Sequence, residues 1–470
     1  MTDQLIETQL DPQAVAGLAA TARGPVLVPG DPGYDDARSI WNGLIERRPA
    51  LIVQCSGAAD VVDAVNFSRE QGLALSIKAG GHNVAGNAVN EGGVVIDLSQ
   101  MRGVIVDPAT QTVRVQGGAT WGDCDRETQL FGLAVPGGVV STTGVAGLTL
   151  HGGIGHLRRK YGLSIDNLVS VDIVTADGQF RRASATENED LFWAVRGAGS
   201  NFGVVTSFEF RAHSVGPMVF VGAIFYPLEE ARTILPAWRD FMAAAPEELS
   251  SLAICWSVPP HEPFPPELHG TPAVVVAAAY CGPVEEGERI VQPLRELAQP
   301  LVDASGPWPW LGLQGGFDAI FPKGERRYWK SRALAELSDE AIGEILEFAG
   351  RRPTPLTDVG IWHHGGAMSR VGETETAYGG RDTQFLVAVE ASWTEPAQND
   401  EAIGWAREVW DAMERYSTGA VYLNFPGLGE EKDDLARAGY GENYDRLAEL
   451  KAKYDPENLF RMNINIPPAA

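Results

Sequence analysis

The chain has 470 residues, 44% of them hydrophobic, which allows roughly two or three domains with substantial cores. Its 37 Lys and Arg against 62 Asp and Glu give a net charge of −25. That balance opposes nucleic acid and anionic membrane, which need clustered cations, and suits a neutral or cationic small partner. Cys55, Cys124, Cys255 and Cys281 form no CxxC pair, so a zinc site or disulfide framework is not expected. The opening MTDQLIETQLDPQAVAGLAA has no basic segment before an apolar core, and no run of about 18 apolar residues occurs. A reduced, cytoplasmic protein is expected.

Residues 1–24 read as an amphipathic helix. PALIVQC is a short apolar strand, and GAADVVDAVNFSREQG has helical spacing with Gly72 after its end. The stretch from GGVVIDLS to DRETQLFG predicts strand, turn, strand and helix. LVSVDIVTADG predicts a strand closed by an Asp-Gly turn, and ENEDLFWAVRGAGSNFGVVTSFEFRAH a helix, a glycine loop and a strand. Composition changes near Gly216-Pro217. Beyond it, PMVFVGAIFYP, SLAICWSV, TPAVVVAAAYCG and TQFLVAVEASW predict long strands. LEEARTILPAWRDFMAAAP, DEAIGEILEFAG and DEAIGWAREVWDAME predict the helices between them. This pattern implies an antiparallel sheet backed by helices, then a last helix and an extended tail, NYDRLAELKAKYDPENLFRMNINIPP.

Three glycine-rich loops, 78–87, 144–155 and 197–203, suit a large ligand with anionic and planar parts, such as a dinucleotide. GAGSNFG at 197–203 follows a helix and precedes a strand, the reverse of a nicotinamide-binding fingerprint. No Walker motif supports phosphoryl transfer. In KAGGHNVAGN, His82 stands alone among glycines between two strands. By itself it reads as a metal ligand, a base, a covalent anchor or a bystander.

The ordered set AGGHNVAG, GGVVSTTGVAGLTLHGGIG, KYGLSIDNL, DLFWAVRGAGSNFGVVT and NYDRLAELKAKYDPENLFRMNINIPP resembles the berberine bridge enzyme-like branch of the vanillyl-alcohol oxidase flavoproteins, from about residue 30 to the C-terminus. The resemblance implies an α+β fold. It has a PCMH-type FAD-binding domain of two α/β subdomains (residues 1–215), a substrate domain with an antiparallel sheet backed by helices (216–424), and a C-terminal segment (425–470) returning to the FAD domain. It implies FAD bonded through its 8α-methyl carbon to His82. A neutral imidazole nitrogen is the nucleophile such a bond needs. Relatives with a second tether carry a cysteine where this chain has Val140, so a single link is expected. Carried over by position, cofactor contacts fall on Lys78, Ala79, Gly80, Gly81, Asn83 and Gly86 and on Thr142, Gly144, Gly147, Gly152 and Gly153. Further contacts fall on Gly203, Val205, Asn424 and Asn463.

Oxidation of an alcohol or amine by flavin removes a hydride and a proton, and a base helps. Glu390, the carboxylate within TQFLVAVEASW, is the first candidate; its bland alternative is the solvent face of an edge strand. Tyr422 is a base or donor by resemblance, or a packing tyrosine. Lys330 points into the cavity in relatives, or is a surface lysine. Thr143 occupies a position that controls oxygen access in relatives, or simply packs. His363-His364 lack companions for a metal set, and His151 and His156 read as loop residues. YLNF, RRYWK and IWHH are candidate pocket walls, and loops 259–272 and 313–330 shape the pocket. The expected activity is a FAD-dependent oxidase taking hydride from a C–H next to O or N of a small molecule, with O2 reduced to H2O2. The alternatives are a flavin oxygenase or oxidative cyclase, and a redox carrier without its own organic substrate. No metal is expected, and oligomeric state is left open.

Overall fold

Three principal sheets set the frame of the computed structural model, which describes residues 10–260, 262, 264–428 and 432–470. The predicted opening helix spans Pro12–Thr21; Asp11 caps it by accepting the Gln13 N–H, and Pro12 fills a first position that needs no donor. Residues 1–9 of that prediction lie outside the described residues.

The first sheet holds β1 (Val26–Leu27), β2 (Leu51–Gln54), β3 (Leu75–Lys78) and β4 (Val94–Asp97), in the order β1-β2-β4-β3. The last three are parallel, and helix Ala58–Glu70 links β2 to β3. Gly72 follows that helix at φ +64, a left-handed turn that suits glycine. The second sheet is antiparallel: β5 (Val104–Asp107), β6 (Thr112–Gln116), β7 (Leu168–Val174), β8 (Phe180–Ser184) and β9 (Val204–Arg211), in the order β5-β6-β9-β7-β8.

The third sheet is also antiparallel. Its long strands are β10 (Met218–Pro227), β11 (Leu249–Ser257), β12 (Pro272–Tyr280), β13 (Arg326–Leu334), β14 (Asp358–His363) and β15 (Phe385–Trp393). They run β10-β12-β11-β14-β15-β13, with short segments Val302–Asp303 and Gly306–Pro309 beside β10. Phe385, Val387, Val389 and Ala391 join the core under helices Ala231–Ala244, Asp339–Ala349 and Asn399–Ala412. Leu386 and Ala388 join the core shared with the second sheet. The third sheet is therefore covered on both faces, which is why its strands read as near-continuous apolar runs. Helix Tyr444–Tyr454 and the tail pack back on the first half: Asn201 Nδ2 donates to Ile464 O at 3.1 Å, and Lys451 donates to Asn201 O at 2.8 Å. This is an α+β arrangement of two smaller sheets beside a large antiparallel sheet backed by helices. Among the described residues, no helix is long and apolar enough to cross a membrane.

Candidate active site

Between the first two sheets and the cavity-facing side of the third lies a cleft of about 1910 Å³, open solvent at its mouth included. The loop after β3 supplies one wall. Gly80 and Gly144 meet backbone to backbone: a Cβ on Gly80 would lie 2.4 Å from Gly144 N, and one on Gly144 would lie 2.5 Å from Gly80 N. Gly80→Ala is therefore expected to part the two loops and abolish flavin loading, read as the flavin-to-protein absorbance ratio of the purified protein. Full loading in that variant would mean the contact is dispensable.

His82 projects from this loop over Trp41, ring centroids 4.8 Å apart and 16° from parallel. Thr143 Oγ1 lies 3.3 Å from its Nδ1 and Thr142 Oγ1 3.1 Å from its Nε2. A hydroxyl both donates and accepts, so the two suit a neutral ring with one protonated nitrogen. Burial, then the nearby Arg327 charge, pushes the imidazole down to about 3, so it is neutral and nucleophilic at physiological pH. Arg327 itself lies over Trp41, its Cζ 3.9 Å from the ring centroid. A chain of edge-to-face rings then runs from Trp41 through Trp329 and Phe425 to Tyr422, at spacings of 5.3, 5.2 and 5.2 Å.

Glu390 is on β15, interior to the sheet and 6% exposed, so the edge-strand alternative is excluded. Its cross-strand partners are Trp329 on β13 and Asp358 on β14, and Asp358 is 3% exposed. Opposed residues place their Cβ atoms about 5 Å apart. Two full negative charges at that spacing would repel by about 3 kcal/mol at an effective dielectric near 20, so the pair holds on to a proton. Burial pushes Glu390 up to about 8, against the pull of Arg327. Burial and the Glu390 charge raise Asp358 far above the usual carboxylate range, against the pull of Arg352.

Tyr422 is buried, and its oxygen accepts from Ile154 N at 3.2 Å and from Asn424 Nδ2 at 2.8 Å. Burial raises its value despite these donors, so it stays a neutral phenol with its own proton left to give. Over the cleft lies segment 310–324. Trp310 Nε1 and Gln314 Nε2 each donate to the buried Asp125 carboxylate at 2.9 Å, and Ser141 N donates to Asp318 at 2.8 Å. This clamps Phe317, Ile320 and Phe321 onto the lining, within the predicted loop 313–330.

Of the residues singled out from sequence, Ala79, Gly80, Gly81, His82, Asn83, Thr143, Gly144, Gly147, Gly203, Val205, Glu390, Tyr422, Asn424 and Asn463 line this cleft. Others do not, and each has a physical reason. Lys330 alternates with Trp329 and so faces the helices; its Nζ sits 3.5 Å from the Trp410 ring centroid. The expectation that it points into the cavity is corrected. Lys78 turns to a separate hollow, donating to Ala37 O at 2.6 Å and pairing with Asp97 at 3.4 Å. Gly86 takes a left-handed turn at φ +75 against Ile45, and its carbonyl accepts from Arg47. Gly152 and Gly153, at φ +110 and +88, make room for Tyr378 and Ser164 behind the wall. Thr142 reaches the site through its hydroxyl on His82. His151 lines the cleft and bridges Gly147 O and Ser200 Oγ, while His156 stacks on Phe317. Among the described residues, no group of three or more His, Cys, Asp or Glu gathers to hold a metal. Trp41 and Asp358 were not anticipated: a lone tryptophan in SIWNG and an aspartate at a strand start carry no periodic signal.

The cleft fits FAD. Residues 79–83 have backbone N–H groups that donate to no backbone acceptor among the described residues, a cradle for an anion. Asn463 Oδ1 is buried without a partner while its Nδ2 donates to Ser200 O, leaving one acceptor for a ligand. A Cβ on Gly147 would meet nothing within 4 Å, so that part of the lining is bare backbone.

Two family models match: "FAD binding domain" over residues 49–184 and "Berberine and berberine like" over 421–467. A FAD-linked oxidoreductase of Dictyostelium discoideum is 33% identical, covering 97% of each chain. The (R)-6-hydroxynicotine oxidase of Paenarthrobacter nicotinovorans is 32% identical over 95% of this chain and 97% of its own. The crystal structure of 6-hydroxy-D-nicotine oxidase from Arthrobacter nicotinovorans superposes with a TM-score of 0.84 at 30% identity, covering 96% of this chain and 99% of that one. Fold, cleft lining and whole-length similarity agree, and the chain belongs to the berberine bridge enzyme-like family of FAD-linked oxidoreductases.

Proposed function

We propose that the protein is an oxidase carrying FAD through a single covalent link from its 8α-methyl carbon to His82, and that it takes hydride from a C–H next to O or N of a small organic substrate. The observation that carries this reading is the pairing of a neutral, threonine-held imidazole with a buried, proton-holding carboxyl in one cleft. On this reading FAD lies across residues 1–215 and the returning segment 425–470, and substrate meets the sheet of residues 216–424. Residues 79–83, Gly147 and Asn463 would hold the cofactor. Val140, a hydrocarbon at the second-tether position, offers no thiol, which supports one link.

FAD bound here would supply a hydride acceptor that dioxygen can reoxidise with formation of hydrogen peroxide. Glu390 takes the substrate's O–H or N–H proton in its ionised form, which is a minor fraction at neutral pH and grows as pH rises toward about 8. Tyr422, with its oxygen already accepting two hydrogen bonds, donates its own to the substrate heteroatom. Trp41 and segment 310–324 keep water from the reacting face.

Thr143 motivates the oxygenase reading, but its hydroxyl is engaged with His82 Nδ1, so we assign it to orienting the imidazole. The test is photoreduction of the holoprotein without oxygen, followed by air. Fast reoxidation with about one peroxide per flavin is expected. Slow reoxidation in air that a protein acceptor accelerates would point to the redox carrier. Labelled oxygen appearing in an organic product would point to the oxygenase.

A further inference from the structure

We propose that Asp318 and Arg327 are positioning residues for the flavin link: acting through Ser141 and Trp41, they aim the His82 imidazole, so that the link forms fast only with residues 318–327 seated. This rests on the covalent reading of His82 and goes beyond it, because both side chains come from the half of the chain that builds the third sheet.

His82 stands on a glycine-rich loop, where the backbone alone gives a ring little orientation; Gly81 takes φ +70 and Gly86 φ +75. A nucleophile reacts only when its lone pair points along the line of attack, so neighbours must aim the ring. Trp41 and a threonine pair do this. Trp41 lies nearly parallel to the imidazole, and its backbone N–H donates to Gly81 O at 3.1 Å. Thr142 and Thr143 meet the two ring nitrogens.

Residues 318–327 hold each of these neighbours in turn. Trp41 lies outside helix and strand, so its place depends on outside bonds. Its Nε1 donates to Phe321 O at 2.9 Å, and its carbonyl accepts from Gly324 N at 2.9 Å. Gly43 N donates to Glu325 O at 2.7 Å, and a Cβ on Gly43 would lie 2.0 Å from Gly324 O, so the two backbones interlock. Asn42 fixes their register. It accepts from Arg327 N at 2.9 Å and donates to Arg327 O at 2.8 Å and to Val84 O at 2.7 Å, on the loop that carries His82. The Arg327 guanidinium then lies against the Trp41 ring, steered there by its bonds to Pro322 O and Glu325, and its side chain is fully buried. Desolvation strengthens such a contact between cation and indole. On the other support, Ser141 N donates to Asp318 at 2.8 Å, and Ser141 Oγ donates to the same carboxylate. That fixes the residue directly before Thr142 and Thr143. Packing two halves together does not require that such bonds converge on the neighbours of one imidazole.

The step being aimed balances. A C–H of the 8α-methyl group gives up its proton, the imidazole lone pair forms the new C–N bond, and the ring N–H proton is released. Two electrons stay on the flavin until dioxygen takes them with two protons as hydrogen peroxide.

The test uses the full chain purified from riboflavin-starved cells and then given FAD. Quenched flavin fluorescence reports binding, and flavin left on the polypeptide after acid precipitation reports linking with time. Arg327→Gln and Asp318→Ala are each expected to bind FAD within about twofold of the parent and to link it about tenfold more slowly. Asp318→Asn keeps an acceptor for Ser141 N and a donor for its hydroxyl, so it should link within about threefold of the parent. Parental linking rates in Arg327→Gln and Asp318→Ala overturn the proposal, and so does a loss of linking matched by an equal loss of FAD binding. Asp318 is only half-buried, so its variants decide the matter if Arg327→Gln does not fold. A parent that binds FAD and never links it defeats the covalent reading itself, a result distinct from a linking parent with equally fast variants.

Discussion

Glu390→Gln is expected to cut turnover by about 10²–10⁴-fold, the span a positioned base contributes, while flavin stays attached. Glutamine keeps the shape of the side chain and its place between Trp329 and Asp358 but cannot take a proton. The same substitution should stabilise the protein at alkaline pH. The folded carboxyl sits at about 8 against an ordinary value of 4.5, so between these limits the folded chain binds a proton that the unfolded chain has released. Its stability contribution is complete below about pH 4.5 and is lost as pH rises through 8, at up to about 1.4 kcal/mol per pH unit. Glutamine has no such slope. It also relieves Asp358 of a charged neighbour, so that carboxyl should fall toward its usual range. Denaturant midpoints at about pH 5 and about pH 9, compared between variant and parent, measure the difference. Undiminished turnover would mean that Glu390 is not the proton acceptor.

The residues that sequence singled out and that reach the cleft are those whose chemistry is local. A glycine loop around one histidine is legible because tight backbone approach and an isolated imidazole sit within ten residues, and both reach the cleft. Glu390 was legible because a lone carboxylate in TQFLVAVEASW violates an apolar run. What failed was direction. Lys330 and Trp329 are adjacent in RRYWK, and alternation sends one to each face; nothing in that segment says which face is the cleft. Strands β13 and β14 were themselves hard to see. β13 carries Arg326, Arg327, Lys330 and Arg332, and Arg332 is buried beside Trp410 in a cation–π contact that no periodic pattern announces. Asp358 became visible only with register, since it is 32 residues from Glu390 in sequence and opposite it in space.

His82→Ala is expected to remove covalent flavin entirely: the denatured variant should have the mass of the bare polypeptide, and the denatured parent that mass plus one FAD. The expectation follows from what surrounds the ring. Thr142 and Thr143 hold both nitrogens, Trp41 holds the plane, and burial keeps the imidazole unprotonated, so one nitrogen keeps the lone pair that a nucleophile needs. None of this scaffold needs the bond to form, so the alanine variant should still bind FAD non-covalently in the 79–83 and 142–147 loops and release it on acid precipitation. Its flavin should also have a lower reduction potential, because the carbon–nitrogen bond withdraws electron density from the ring system. The four cysteines are buried, and burial pushes all four thiols up in pKa, which disfavours the thiolate a second tether would need. A variant that keeps its flavin through denaturation would reveal another attachment point. A parent that loses its flavin would leave the imidazole as a contact and move the anchoring of FAD onto the backbone cradle alone.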